Sequence, residues 1–229
     1  MKQIVLDIGL VAGPTLAGYF PGPNEAAVRH LERWTDTKMS GGNVRSAVPS
    51  YLWGAHGSGK THLLKAVKAS LHEQGDRAGW FDSGMIDPPE YDEEWAAVFF
   101  DDVHLYSASQ QQLAFNWFVN AQTHQRAVLA AGNAPPAELG LRDDLRTRLG
   151  WGHVYHLQLL GESERRAVLR QSADARGVFL GDDVMDFMLT RFSRDLGSLM
   201  ELLDLIDRYA LQTKRAITIP LIKSMMEES

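Results

Sequence analysis

The chain has 229 residues, 45% of them hydrophobic and 23% charged, with a formal net charge of −6. That length holds one large domain or two smaller ones, and the acidic balance argues against a broad affinity for nucleic-acid phosphates. The chain contains no cysteine, which excludes disulfides, thiol catalysis and zinc–thiolate sites and suits a reducing cytosol. No apolar run approaches the roughly 20 residues of a membrane span, and residues 1–12 lack a cleavage site of the signal-peptide kind.

The first fourteen residues end in Gly13-Pro14 and read as a tail. From Thr15 to about Leu160, helical patterns alternate with short apolar runs at Tyr51–Trp53, Ala78–Asp82, Ala96–Phe100, Ala127–Ala131 and Val154–Leu157. Strands separated by helices predict a parallel α/β sheet with helices on both faces. Beyond Gly161 the strand signals fade. Glu162–Arg176, Asp182–Phe192 and Asp195–Thr213 have helical apolar spacing, and Thr218 precedes Ile219-Pro220 as an N-cap before a last short helix. The predicted organisation is a tail over 1–14, an α/β domain over 15–160 and a small all-helical domain over 161–229.

Gly54-Ala55-His56-Gly57-Ser58-Gly59-Lys60-Thr61 fits G-x-x-x-x-G-K-[ST] between a predicted strand and a predicted helix. Gly54, Gly57 and Gly59 let the backbone turn its N–H groups inward beside Ser58, forming a nest for phosphate at a helix N-terminus. Lys60 then reaches the β/γ-phosphates and the Thr61 hydroxyl holds Mg²⁺. The run Ala96–Phe100 ends in Asp101-Asp102. At the C-terminal end of a buried parallel strand, Asp101 would hold the Mg²⁺ and Asp102 would orient water; the alternative is an acidic turn.

Asn133 ends the run Val128–Gly132 and would sense a γ-phosphate, although Asn133-Ala134-Pro135-Pro136 is equally good turn chemistry. Arg146 and Arg148 precede the last predicted strand. Either could reach a phosphate held by a neighbouring subunit, or pair with Asp143 or Asp144 at the surface. Arg194 opens the longest helix of the helical domain, facing nucleotide or solvent.

Together these segments resemble the AAA+ P-loop NTPases, and within them the Hda-like regulators related to the initiator DnaA. The resemblance rests on Thr15–Asn24, the P-loop, Asp101-Asp102, Asn133, Arg148-Leu149-Gly150-Trp151-Gly152, Arg194 and Thr218–Lys223, and it covers nearly the whole chain. It implies an AAA+ core with a helical lid. Pro21 and His62 join the nucleotide site, Asp101-Asp102 is Walker B, Asn133 is sensor 1, Arg148 is the arginine finger acting in trans, and Arg194 is sensor 2. DnaA carries a duplex-reading domain after its lid, whereas this chain ends shortly after its last helix, so no sequence-specific DNA reading of its own is expected.

Gln3-Ile4-Val5-Leu6-Asp7-Ile8 fits the loose Q-x-x-L-x-[FLI] pattern of sliding-clamp ligands. Gln3 would hydrogen-bond at a small pocket while Leu6 and Ile8 fill an apolar groove; the alternative is an edge strand. The resemblance therefore implies a cytoplasmic regulator holding ADP or ATP with Mg²⁺. Its partners would be the sliding clamp (the DNA polymerase III beta subunit), DnaA, whose ATP hydrolysis it stimulates, and further copies of itself in a homo-oligomer. No membrane partner is expected. The competing expectation is a self-sufficient ATPase or a DnaC-like helicase loader.

Overall fold

The computed structural model describes residues 13–36, 45–192 and 196–227. Gln3, Leu6, Ile8 and Arg194 lie outside the described residues. A short turn at Gly22–Asn24 leads into α1 (Glu25–Thr35). The chain continues through β1 (Ser50–Trp53), α2 (Lys60–Glu73), β2 (Ala78–Phe81), β3 (Ala97–Phe100), α3 (Ala108–Thr123), β4 (Ala127–Gly132), α4 (Asp143–Leu149) and β5 (His153–His156). The strands form one parallel sheet in the order β2-β3-β4-β1-β5. The register places Ser50 opposite Leu129 on one side and His153 on the other.

The predicted strands are all present, with ends moved by a residue or two. Their apolar runs are continuous because both faces of the sheet are covered. Tyr51, Phe81, Val98, Phe100, Val128 and Ala130 point to one face, where they meet Trp117 and Phe118 of α3 and Leu145 and Leu149 of α4. Leu52, Ala97, Phe99, Leu129 and Ala131 point to the other, against Leu31 of α1 and Leu63, Leu64, Val67 and Leu71 of α2. The period-2 alternation of side chains thus feeds two apolar layers from one sheet. α3 starts at a capping box in which Ser107 Oγ accepts from Gln110 N (3.3 Å) and Gln110 Oε1 accepts from Ser107 N (2.9 Å).

The chain divides into two compact units, one ending at Gln158 and the other beginning at Leu159. The second contains α5 (Glu162–Ala175), α6 (Asp182–Arg191), α7 (Leu196–Thr213) and α8 (Ile219–Glu227). Its own core joins Leu169, Met185, Met188, Leu203, Ile206 and Ile222. Glu164 Oε2 accepts from Gly161 N at 2.6 Å ahead of α5. Thr218 Oγ1 accepts from Leu221 N at 3.4 Å at the start of α8, where Pro220 needs no hydrogen-bond partner. Among the described residues, no helix is long and apolar enough to cross a membrane.

Candidate nucleotide-binding site

The loop between β1 and α2 lies at the C-terminal ends of the strands. Gly57 and Gly59 adopt φ of +79° and +90°, a backbone region that a side chain disfavours. A Cβ on Gly59 would also lie 2.5 Å from Tyr19 Cε2. α2 begins at Lys60, so Lys60, Thr61 and His62 all occupy its first turn.

Lys60 is only 7% exposed. Its Nζ donates to the carbonyl oxygens of Gly54 (2.9 Å) and Ala55 (3.0 Å). Burial lowers the pKa of the ammonium from its ordinary value, and Asp102 and Asp101 oppose that shift. The Ser58 hydroxyl is buried and has no hydrogen-bond partner among the described residues. A buried hydroxyl without a partner is costly, and a phosphate oxygen is a partner of the right chemistry. The lysine, the nest of N–H groups and the orphan hydroxyl therefore fit a phosphorylated ligand.

Asp101 follows β3 and is 4% exposed. Burial raises the pKa of its carboxyl, a hydrogen bond with Thr61 opposes that rise, and the charge of Asp102 adds to it. The amide of Asp102 also donates to Asp101 Oδ1 at 3.1 Å. Thr61 and Asp101 thus stand within hydrogen-bonding reach of each other, and their oxygens would suit a shared divalent cation. Asp102 sits in the left-handed region at φ +48° and opens a short turn over Val103–Leu105.

Asn133 is exposed immediately after β4. That strand end is held to the P-loop by the Gly54 amide, which donates to Gly132 O at 3.3 Å. Pro21 leads into the turn before α1. His62 lies 3.2 Å through Nε2 from Thr15 O, with its ring 5.7 Å from that of Tyr19. Burial lowers the pKa of the imidazole, and the Thr15 contact opposes the shift. The segment from Thr15 to Asn24 is therefore folded against the P-loop.

The two arginines of α4 differ. Arg146 pairs with Asp143 at 2.6 Å, the surface alternative raised for it. Arg148 donates to the backbone carbonyl of Asp144 (3.2 Å) and lies 4.8 Å over the ring of Phe115. Asp144 is instead taken by Arg142, through Nε–Oδ1 at 2.6 Å and Nη2–Oδ2 at 2.7 Å.

Sequence reasoning gave no role to Tyr19, Asn24 or Tyr51. Asn24 precedes an amphipathic helix and reads as an N-cap, but its side chain makes no cap hydrogen bond. A separate open cleft of about 760 Å³ runs beside Lys65, Lys68, His72, Trp80 and Trp95, along α2 and the edge strand β2.

Residues 162–226 match the family described as Hda, lid domain. The whole chain is similar to domain III of the Thermotoga maritima replication initiation protein DnaA, with a TM-score of 0.76 and 18% identity over 93% of this chain and 95% of that one. AMPPCP-bound DnaA from Aquifex aeolicus gives a TM-score of 0.67 at 20% identity; the likeness covers 85% of this chain and 65% of that one, less than two thirds of its length. The Thermotoga maritima RuvB Holliday junction branch migration motor gives 0.63 at 17% identity, covering 89% of this chain and 68% of that one. The first unit thus shares the fold of DnaA domain III and of the AAA+ proteins, and residues 162–226 of the second match the Hda lid domain.

Proposed function

We propose that this chain is a nucleotide-bound regulator of replication initiation that docks on the DNA-loaded sliding clamp and stimulates ATP hydrolysis by DnaA. The observation that carries the reading is the Hda lid domain at 162–226, set behind a core with the fold of DnaA domain III. Binding of ADP or ATP is supported by the buried, partnerless Ser58 hydroxyl beside Lys60 and by the AMPPCP bound to a DnaA of the same fold. Gly54, Gly57, Ser58, Gly59, Lys60, Thr61 and His62 would hold the phosphates, Thr61 and Asp101 the Mg²⁺, and Pro21 and Arg194 the rest of the nucleotide. When bound, the nucleotide and its metal supply the charge that Lys60 and Asp101 are placed to balance.

Arg148 acts in trans. Its guanidinium, held by the Asp144 carbonyl and the Phe115 ring, would reach the γ-phosphate on DnaA and stabilise charge developing in the transition state. Asp102 and Asn133 serve the chain's own site. Gln3, Leu6 and Ile8 engage the clamp, which brings the chain to DNA, and the place of action is the bacterial cytoplasm.

The test is single-turnover hydrolysis of DnaA-bound ATP in the presence of clamp loaded on DNA. Addition of this chain with ADP accelerates hydrolysis; a rate that stays at the intrinsic value of DnaA rejects the reading.

A further inference from the structure

A line of hydrogen bonds joins the P-loop to the last residue before the helical unit. The Tyr19 hydroxyl donates to Ser58 O at 3.0 Å. Asn24 Nδ2 donates to Tyr19 Oη at 3.1 Å and to Gln158 O at 3.0 Å. Gln158 N in turn donates to Asn24 Oδ1 at 2.8 Å. Asn24 is 3% exposed, and its amide grips both the N–H and the C=O of Gln158, a residue 134 positions away in sequence. Gln158 is where the first unit ends and Leu159 is where the second begins.

The line is closely constrained at each link. Tyr19 cannot retreat toward the loop, because its ring edge already occupies the space where a Cβ on Gly59 would stand. Burial raises the pKa of its phenol, so it remains a donor. Asn24 cannot rotate without leaving buried polar groups unpaired, which costs about 1–3 kcal/mol per group. Its amide is also fixed in orientation, since Gln158 N–H requires the oxygen and Gln158 O requires the nitrogen.

We infer that Asn24 and Tyr19 form a relay through which occupation of the P-loop is transmitted to the backbone of Gln158, at the junction with the lid. The inference rests on the proposed nucleotide binding and adds regulation to that site. Phosphate in the loop fixes the peptide of Ser58, whose carbonyl holds Tyr19; Tyr19 holds Asn24, and Asn24 holds both polar groups of Gln158. Linked hydrogen bonds of this kind strengthen one another. Asn24 and Tyr19 are positioning residues here, with no contact to the reacting atoms required.

The experiment is hydrogen exchange on the full chain, with and without ADP, read at the peptide spanning 155–162. In the wild type, ADP slows exchange there about tenfold, as expected when local opening is suppressed. Tyr19→Phe removes one hydroxyl and cuts the relay while leaving the Asn24–Gln158 pair in place. It binds ADP with near wild-type affinity in calorimetry and melts normally, but ADP slows exchange at 155–162 by less than about twofold. Asn24→Ala loses the same response and raises basal exchange at Gln158; should it fail to fold, Tyr19→Phe alone decides. A wild type that does not bind ADP rejects the nucleotide reading and the relay with it. ADP binding with undiminished slowing in Tyr19→Phe overturns the relay alone.

Discussion

The Tyr51 hydroxyl donates to the carbonyl oxygen of Ala134 at 2.8 Å, so a side chain of β1 fastens the loop that follows its neighbour β4 and presents Asn133. Tyr51 is fully buried, and burial pushes its phenol well above its ordinary pKa, which keeps the donor protonated. The same hydroxyl explains Gly132, where a Cβ would come within 2.2 Å of it. Gly132→Ala is expected to destabilise the protein by about 1–3 kcal/mol through overpacking, and Tyr51→Phe by about 1 kcal/mol through the lost hydrogen bond. Urea denaturation measures both. Equal stability of Gly132→Ala and wild type would show that the loop has room the geometry denies it.

Lys60→Ala removes the cation of the P-loop. Its Nζ donates to two loop carbonyls, at 2.9 and 3.0 Å, so the variant folds and loses tight ADP binding. Calorimetry with a parallel melting curve is the check, and unchanged affinity in a folded variant removes the phosphate site. Asp101→Asn, which keeps a polar group beside Thr61 but loses the charge, lowers the magnesium dependence of binding.

Arg148→Ala keeps ADP and clamp binding but loses stimulation of DnaA, by a factor of about 10³–10⁵ if the guanidinium acts as a finger. Arg146→Ala is the control, because Arg146 is already paired with Asp143. Stimulation lost in Arg146→Ala and kept in Arg148→Ala would exchange their roles. If both variants stay active, the chain works by reshaping DnaA rather than by completing its site.

Replacing Gln3, Leu6 and Ile8 together with alanine abolishes clamp binding in surface plasmon resonance and leaves melting temperature and ADP affinity unchanged. A large drop in melting temperature would mean that the segment packs on the core as an edge strand.

His30 supplies a pH signature. Its pKa is lowered to about 4, first by burial and then by His153 and Arg33, while Nε2 lies 2.8 Å from Ser50 Oγ. The folded protein therefore holds this imidazole neutral below the ordinary histidine pKa of about 6.5, where the unfolded chain takes up a proton. The stability it contributes is complete above pH 6.5 and is lost as the pH falls toward 4. His30→Gln flattens that slope in denaturation curves measured between pH 7 and 4.5; an unchanged slope would assign the titration elsewhere.

The five strands and the helices of the second unit were legible because continuous apolar runs and 3.6-residue spacing report burial directly. The P-loop was legible because its glycines have backbone reasons that survive in any context. The contacts of Tyr19 and Asn24 were not, because a buried asparagine at a helix start is locally indistinguishable from a cap, and its true partner, Gln158, lies at the far end of the core. The alternatives for Arg146 and Arg148 differed only in three dimensions, where Arg142 claims Asp144 and Asp143 is left to Arg146.

The position of β1 has a consequence for biogenesis. Both of its neighbours, β4 and β5, are made long after it, at 127–132 and 153–156. Ser50–Trp53 and the glycine loop behind it must therefore wait about 75 further residues for a first partner strand and about a hundred for the second. Such late closure makes folding slow and leaves a nascent strand edge open to wrong pairing. A chain arrested before His153 has the whole P-loop sequence yet no β5 beside it. Gly54, where a Cβ would come within 2.2 Å of Leu157 O in the finished sheet, then has nothing to close against.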